Sequence, residues 1–325
     1  MNPDEISRQI TEMKEQGMGG FLWPNALTLD KCKFKLNGSG WSETLPVWQE
    51  QRKVHEILGM RQVYRNRLPQ RYKWIYEKHP GDGTFVAFQF EFGVHDVPLT
   101  KVFAVIERSA EFAISLNGIM IEEEPEGWYL DRSFDKIPLA GLRKGVNVIT
   151  LECRYRSDME IEDIYIVGDF GVDIQSRSII IEPKVLHMGD WCAQGYPHYC
   201  GSMVYKGMYY YGPLSANEKV LLTIGKHSAV TIEIRINEVC AGHIPWRAAD
   251  GIDITEYLHV GENQLEIEVM GSPRNLLGPL HQAAGHKSWT DWSVFRTEDS
   301  EYCEGYVLHP YGLMDQVKIE TFYTM

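Results

Sequence analysis

The sequence predicts a mainly β protein made of two tandem jelly-roll β-sandwiches that follow a short N-terminal helix. Apolar and polar residues alternate with a period of two from Thr84 onward, and turn residues separate the short runs. One strand–turn–strand pattern also occurs twice. We therefore expect residues 1–23 to hold the helix and a short strand, residues 24–172 the first sandwich, and residues 173–325 the second.

The first residues have the features of a single amphipathic helix. Asn2 is a suitable N-cap, Pro3 suits the first helical position, and an apolar stripe follows at helical spacing, consisting of Ile6, Ile10 and Met13. A lone helix of this length is marginal in water, so the stripe needs a packing partner. We expect the helix to pack on the first sandwich, with Trp23 buried beside it, or to pair with its mate in a homodimer.

The strands are predicted by alternation and the turns between them. Residues 41–80 predict irregular structure with one or two strands, and a helix at 48–58 is the alternative. The alternating segments that follow are TFVAFQFEFG, KVFAVIE, EFAISLNG, NVITLECRY, KVLLTIG, AVTIEIRINE, NQLEIEVMG and QVKIETFY.

The internal repeat is centred on two Gly-x-Asn turns, at 145–147 and 261–263. Each is followed by an alternating strand and preceded, some 24 to 28 residues earlier, by an asparagine, Asn117 in the first copy and Asn237 in the second. Repeated units of this kind predict two sandwiches of one type, with the two turns in equivalent positions.

Composition excludes several classes of protein. Asp and Glu number 45 against 32 Lys and Arg, a net charge of −13 that argues against nucleic-acid binding. No apolar run approaches the ~20 residues of a membrane-spanning helix. The polar start predicts no secretory signal on this chain, so it would be cytoplasmic as encoded, with its true location unknown. Six cysteines without a C-x-x-C pair predict reduced, mostly buried thiols.

Several ordered motifs carry a resemblance to a known family. The pattern NG…D…L..G.N.I.L is similar to the galactose-binding-like, sugar-binding jelly rolls of glycoside hydrolase family 2 and its relatives. IEDIYIVGDFGV at 161–172, GDWCAQGYPHYCGSMVYKG at 189–207 and HPYGLMDQVKIE at 309–320 resemble, more closely, the α-L-rhamnosidase-like enzymes. In that family two such sandwiches follow a catalytic TIM barrel.

The resemblance also implies that the barrel is almost wholly missing. Residues 2–21 and 25–38 resemble the beginning of the barrel and the segment that leaves it, yet they are nearly adjacent here. A TIM barrel needs about 250 residues. The family's catalytic carboxylates therefore have no counterpart, and we predict no catalytic residue.

These observations favour a carbohydrate-binding-type accessory region of a glycoside hydrolase-like protein, non-catalytic on its own, with a glycan or oligosaccharide as partner. Two alternatives stay open. One is a glycoside hydrolase whose active site is completed at the domain interface or by a catalytic-barrel partner chain. The other is a structural or assembly module without ligand.

Candidate sugar contacts are aromatic and polar side chains outside the alternating strands, because sugars stack their C–H faces on rings and bond polar groups through their hydroxyls. The predicted set is Trp246, Arg247, Trp289, Trp292, His281, Trp191 and Tyr199. Trp128 stands in the corresponding loop of the first repeat. Packing within the protein is the alternative for all of these rings, and it is favoured for Tyr199 and Trp128.

No cofactor and no metal site are predicted. The acidic run at 122–126 is interpreted as a solvated loop, with a structural calcium ion as the alternative. His281 and His286 are interpreted as hydrogen-bonding loop histidines, with metal binding as the alternative.

Overall fold

The structure is a computed structural model of the chain that describes residues 23–60, 77, 79–184, 186–213, 217–245, 251–283 and 301–323. The predicted N-terminal helix lies outside these residues. The chain divides into two compact units. We call residues 26–181 the first unit, and residues 182–325 together with the residues up to Asn25 the second unit.

The first unit is built from short strands and one helix. Its strands are β1 (Asn25–Leu29), β2 (Lys31–Leu36), β3 (Leu45–Pro46), β4 (Thr84–Val94), β5 (Phe103–Glu107), β6 (Ala113–Leu116), β7 (Ile119–Met120), β8 (Trp128–Tyr129), β9 (Asp131–Pro138), β10 (Gly145–Tyr155), β11 (Ile164–Gly168), β12 (Gly171–Asp173) and β13 (Ser178–Ile180). Helix α1 (Val47–Ile57) confirms the alternative predicted for 48–58.

These strands form two facing sheets. In the described residues one sheet has the order β1-β11-β5-β9-β8, and the other has β12-β13-β4-β10-β6-β7, with β2 paired to β4 and to β3. Apolar side chains from both sheets share one core, including Leu27, Ile106 and Ile166 from the first sheet and Phe88, Phe90 and Leu151 from the second. The first unit is therefore a β-sandwich, as predicted.

The second unit is also mainly β. Its strands are β14 (Ser202–Tyr211), β15 (Glu218–Ile224), β16 (His227–Ser228), β17 (Thr231–Ile236), β18 (Val239–Pro245), β19 (Ile252–Asp253), β20 (Gly261–Met270), β21 (Gly312–Leu313) and β22 (Val317–Tyr323). Helix α2 (Arg274–Leu277) is a single turn.

Within the described residues the second unit has sheets ordered β14-β20-β17-β18, β19-β15-β22 and β16-β21. Their inward side chains make a core of their own, including Tyr205, Ile234 and Ile267 from the four-stranded sheet and Val220, Leu222 and Leu313 from the others. Both units thus bury one face of each main sheet, which is the β-sandwich class that the alternation predicts.

The boundary between the units follows strand pairing. The sequence places the first sandwich up to residue 172, whereas the first unit extends to Ile181. The reason is the β12–β13 hairpin, since β13 pairs in parallel with β4 and so adds residues 178–180 to the larger sheet. Trp23, expected beside the first sandwich, instead packs against the core of the second unit.

A hydrogen-bonded asparagine pair closes one turn of the first unit. Asn117 Nδ2 donates to Asn147 Oδ1 at 3.0 Å, and Asn117 Oδ1 accepts from the Val148 N–H at 3.1 Å. Asn147 also bonds the N–H and the carbonyl of Arg143 and the carbonyl of Gly145. The fully buried Asn147 amide thus satisfies backbone groups that the turn leaves unpaired.

The second unit contains the same pair. Asn237 Nδ2 donates to Asn263 Oδ1 at 2.8 Å, and Asn237 Oδ1 accepts from the Gln264 N–H at 3.0 Å. Asn263 bonds the N–H and the carbonyl of His259 and the carbonyl of Gly261. Every bond of the first pair has a counterpart here, so the two Gly-x-Asn turns have equivalent local geometry.

The described residues include all six cysteines, and no disulfide joins them. Cys32 and Cys153 are buried, whereas Cys240 is exposed. In this part of the chain no helix has both the length and the apolar character needed to cross a bilayer.

Candidate functional site

Two of the predicted sugar contacts are core residues of the second unit. Trp191 is 1% exposed and Tyr199 is 4% exposed, and their rings meet edge to face at 6.0 Å. Trp191 Nε1 donates to Tyr205 OH at 2.8 Å, while Tyr199 OH donates to the Ser202 carbonyl at 2.7 Å. Neither ring has a face open to a sugar. The structure therefore corrects the predicted sugar contact of Trp191. For Tyr199 it agrees with the packing alternative that the sequence favoured.

His281 is also largely enclosed. Its Nδ1 lies 2.7 Å from the Cys303 carbonyl oxygen, and the ring packs against Tyr306 at 4.9 Å and Tyr302 at 5.4 Å between centroids. The backbone fixes this arrangement, because the Cys303 N–H donates to the His281 carbonyl at 2.9 Å. His281 is 9% exposed, and the two tyrosines that its ring contacts are half-buried, so the imidazole has little surface open to a sugar.

The remaining predicted contacts are Trp246, Arg247, Trp289 and Trp292. All four lie outside the described residues, as does His286, so their proposed contact with a glycan stays a prediction.

The first unit presents an exposed indole that the sequence assigned to packing. Trp128 lies on the edge strand β8 and is 53% exposed, whereas its neighbour Tyr129 is 3% exposed. The two side chains of this Trp-Tyr pair therefore separate into a solvent-facing ring and a core ring, as strand geometry requires. The sequence of the Trp-Tyr pair alone does not indicate which of the two side chains faces solvent.

The backbone holds Trp128 in an unusual local geometry. Gly127 has φ of 82°, Leu130 has φ of 64°, and the strand register shifts between Trp128 and Tyr129. A left-handed backbone is rare for a residue as bulky as leucine. Strained residues and β-bulges concentrate at ligand sites, where they aim a side chain.

Two carboxylates of β9 lie opposite the Trp-Tyr pair, Asp135 opposite Trp128 and Asp131 opposite Tyr129. Strand register places Asp135 opposite Trp128, and directly opposite residues have Cβ atoms about 4.5–5.5 Å apart. Asp135 Oδ2 accepts bonds from Ser109 N and Oγ at 3.1 and 2.7 Å, which fixes its orientation. Ser133 donates its N–H and its Oγ to Asp131, and these bonds lower the pKa of Asp131. We call Trp128, Asp131 and Asp135 the Trp128 surface.

A second group of carboxylates lies inside the first unit. Burial, and secondly the charge of Asp30, raise the pKa of Asp163 well above the ordinary range. Asp30 is 6% exposed, and its Oδ1 lies 3.7 Å from Arg177 Nη2. Because Asp30 is enclosed and ion-paired, we assign this carboxylate a structural role.

The acidic run at 122–126 is exposed throughout. Lys101 Nζ pairs with Glu126 Oε1 at 2.9 Å. Binding of a calcium ion at this run stays an untested prediction.

Among known proteins, only solved structures match this chain. No family model matches the chain, and no curated protein matches it. A rhamnosidase from Novosphingobium sp. PP1Y matches at 17% identity and a TM-score of 0.33, covering 74% of this chain and 23% of that one. An α-L-rhamnosidase from Streptomyces avermitilis, complexed with L-rhamnose, matches at 10% identity and a TM-score of 0.27, covering 76% and 27%.

An anti-sigma factor domain-containing protein also matches, at 9% identity and a TM-score of 0.20, covering 75% of this chain and 89% of that one. The chain thus spans about a quarter of the length of these two rhamnosidases. Identities and TM-scores this low assign neither a family nor an activity to the chain.

Proposed function

We propose that this chain is a carbohydrate-binding β-sandwich protein, a non-catalytic accessory region of a glycoside hydrolase-like protein, and that the Trp128 surface binds the glycan. The observation that carries the proposal is the exposed indole of Trp128, held on an edge strand by a bulge between two residues with positive φ. Single exposed apolar side chains are common on proteins. Trp128 differs from such side chains in its positive-φ flanks and in the fixed carboxylate of Asp135 opposite it.

The chemistry of the surface suits a sugar. The indole offers a flat apolar face for the C–H groups of a pyranose ring. Asp131 and Asp135 offer carboxylate oxygens, and charged acceptors form stronger hydrogen bonds with hydroxyl donors than neutral acceptors do. Their orientations are already fixed by bonds to Ser133 and Ser109, so little ordering is left to binding.

Charge narrows the class of glycan. Residues 122–136 hold six carboxylates and only two basic side chains, Arg132 and Lys136. A surface of this sign repels uronic acids and sulfated sugars at low ionic strength. We therefore propose neutral glycans as the ligand class.

The test is glycan binding by wild-type protein and by Trp128→Ala. A glycan array selects the ligand, and calorimetric titration gives the dissociation constant. We expect neutral glycans to bind and Trp128→Ala to weaken binding at least about tenfold, which corresponds to ~1.4 kcal/mol.

Trp41→Ala is the matched control. Trp41 is another exposed tryptophan of the first unit, but Lys35 Nζ lies over its ring at 4.8 Å. We expect Trp41→Ala to bind as the wild type does, with both variants keeping the wild-type circular dichroism spectrum. Equal affinity of wild type and Trp128→Ala would contradict the proposed site.

The two alternative functions give different outcomes. A glycoside hydrolase completed by another chain would hydrolyse aryl-glycosides with that chain present and lose turnover on changing one Asp or Glu. A structural module would bind no glycan on the array. We expect no hydrolysis by the isolated chain.

A further inference from the structure

Three metal-ligating side chains of different chemistry meet on the four-stranded sheet of the second unit. Glu233 lies on β17, and Cys240 and His243 lie on the neighbouring edge strand β18. One ligand atom from each lies within 4.8 Å of the other two. The shortest of these separations is 3.1 Å, between His243 Nε2 and Glu233 Oε2. Within the part of the chain that the structure describes, no other three His, Cys, Asp or Glu side chains bring their ligand atoms this close together.

A β-bulge brings the cysteine to this face. Residues three apart on a regular strand point to opposite sides of the sheet, so Cys240 and His243 would be separated. Here Ile234 pairs with Gly242 and Arg235 pairs with Cys240, which leaves one extra residue on β18. The extra residue shifts the alternation of side chains by one position. The Cys240 thiol therefore lies on the same face of the sheet as Glu233 and His243.

Exposure sets Cys240 apart from the other cysteines. It is the exposed member of the six, whereas Cys32 and Cys153 are buried and the other three are intermediate. Cysteine is among the residue types that proteins bury most often. Packing in a core does not explain the exposed Cys240 thiol beside an imidazole and a carboxylate. This position therefore favours a role in binding a metal ion.

The neighbouring charges orient the carboxylate. Arg235 Nε lies 2.5 Å from Glu233 Oε1, which leaves Oε2 to face His243. Arg235 Nη2 in turn lies 3.8 Å from Glu268 Oε2, so its positive charge is shared by two carboxylates. Bonds of this kind to the non-ligating oxygen orient metal-binding carboxylates in proteins.

We propose that Glu233, Cys240 and His243 form a zinc site, with one monodentate carboxylate, one thiolate, one imidazole and a fourth position for water. Thiolate, imidazole and carboxylate are the ligand types that Zn²⁺ takes, and the thiolate disfavours Mg²⁺ and Ca²⁺. A thiolate and a carboxylate together balance the charge of a divalent ion.

The geometry requires only a small closure. Tetrahedral zinc with ordinary bond lengths separates its ligand atoms by about 3.3–3.8 Å. The ligand atoms now lie up to 4.8 Å apart, so they must approach one another by about an ångström. Rotation of the exposed Cys240 and His243 side chains can supply this movement. The ion would link the edge strand β18 to β17 across the bulge. This inference does not depend on glycan binding by the first unit.

The test is zinc titration of the full chain in a thiol-free reducing buffer, followed by calorimetry, together with the absorption spectrum of the Co²⁺-loaded protein. We expect one zinc site that Cys240→Ser and His243→Gln each weaken at least tenfold. We also expect a thiolate-to-cobalt charge-transfer band that Cys240→Ser abolishes.

His259→Gln is the matched control, since His259 is an exposed histidine of the same unit outside the cluster. It should bind zinc as the wild type does. Absence of zinc binding by wild-type protein would overturn the proposal. Unchanged affinity in either Cys240→Ser or His243→Gln, or a charge-transfer band that survives in Cys240→Ser, would overturn it as well.

Discussion

Glu50 of helix α1 is a charged residue in an enclosed position. It is fully buried, and its Oε1 accepts a hydrogen bond from Ser42 Oγ at 2.8 Å. Its Oε2 has no hydrogen-bond partner among the described residues. Burial raises the pKa of Glu50, and the Ser42 bond and the charge of Lys53 act in the opposite direction.

A raised pKa of this carboxyl gives stability a defined pH dependence. The folded state holds the proton more tightly than the unfolded state does. The contribution to stability is therefore present below the unfolded pKa of about 4.3 and is lost as pH rises through the folded pKa.

Replacing Glu50 by Gln should therefore stabilise the protein at neutral pH. The amide keeps the oxygen that accepts from Ser42 but has no charge to desolvate. We expect the melting temperature at pH 7 to rise by about 2–4 °C, the shift that ~1 kcal/mol produces in a domain of this size, and the rise to shrink towards pH 4. Thermal melts at pH 4, 5.5 and 7 measure this.

Glu56→Gln is the control for that experiment. Glu56 lies on the same helix, is exposed, and pairs with Arg52 only at 3.9 Å. Surface pairs of this kind contribute little, so we expect no change at any pH. A lower melting temperature for Glu50→Gln at pH 7 than for Glu56→Gln would refute the assignment of a costly buried charge.

At the same scale, the sequence could name chemically suitable residues but not their exposure. Trp128 and Trp191 are the same residue type in similar turn-rich surroundings, yet one ring faces solvent and the other is in the core. Burial of a ring depends on which strands pair around it. Local sequence patterns do not reveal pairing between strands that are distant along the chain. The pairing of Glu233 with Cys240 and His243 was missed for the same reason, because it depends on a bulge in β18.

The repeated turns are the elements that the sequence predicted best. Gly145 and Asn117 have φ of 94° and 52°, values that glycine and asparagine adopt more readily than other residues. The side-chain bonds between the asparagines were not predicted, since they need strands distant in sequence to be adjacent. The first unit extends past residue 172 to Ile181 because β13 pairs with the distant strand β4 as well as with β12.

Asn147 should be essential to the turn that it closes. Asn147→Ala removes the bonds to Asn117, Arg143 and Gly145 and leaves buried backbone groups unpaired. We expect a loss of about 1–3 kcal/mol in the free energy of unfolding, measured by urea titration.

An exposed asparagine provides the comparison. Asn217 precedes β15 at the surface, and Asn217→Ala should change stability by less than about 0.5 kcal/mol. If Asn147→Ala unfolded at the same urea concentration as Asn217→Ala, the turn would not depend on the asparagine pair.

For the whole molecule, alternation and turn spacing were sufficient to predict a mainly β chain with two sandwiches. The described helices are confined to α1, α2 and three short 3-10 turns, in agreement with that prediction. The proposed function depends on a smaller feature, namely which aromatic ring the folded chain presents to solvent. Trp128 is therefore the residue on which glycan binding is expected to depend most.

The most direct measurement is the indole N–H region of an NMR spectrum during titration with a neutral oligosaccharide selected on the array. The chain has nine tryptophans, and loss of one signal in Trp128→Phe assigns the Trp128 resonance. We expect a saturable shift of that resonance, while the signal of Trp41 stays in place. A glycan that binds without moving the Trp128 resonance, or that moves only other tryptophan signals, would contradict it.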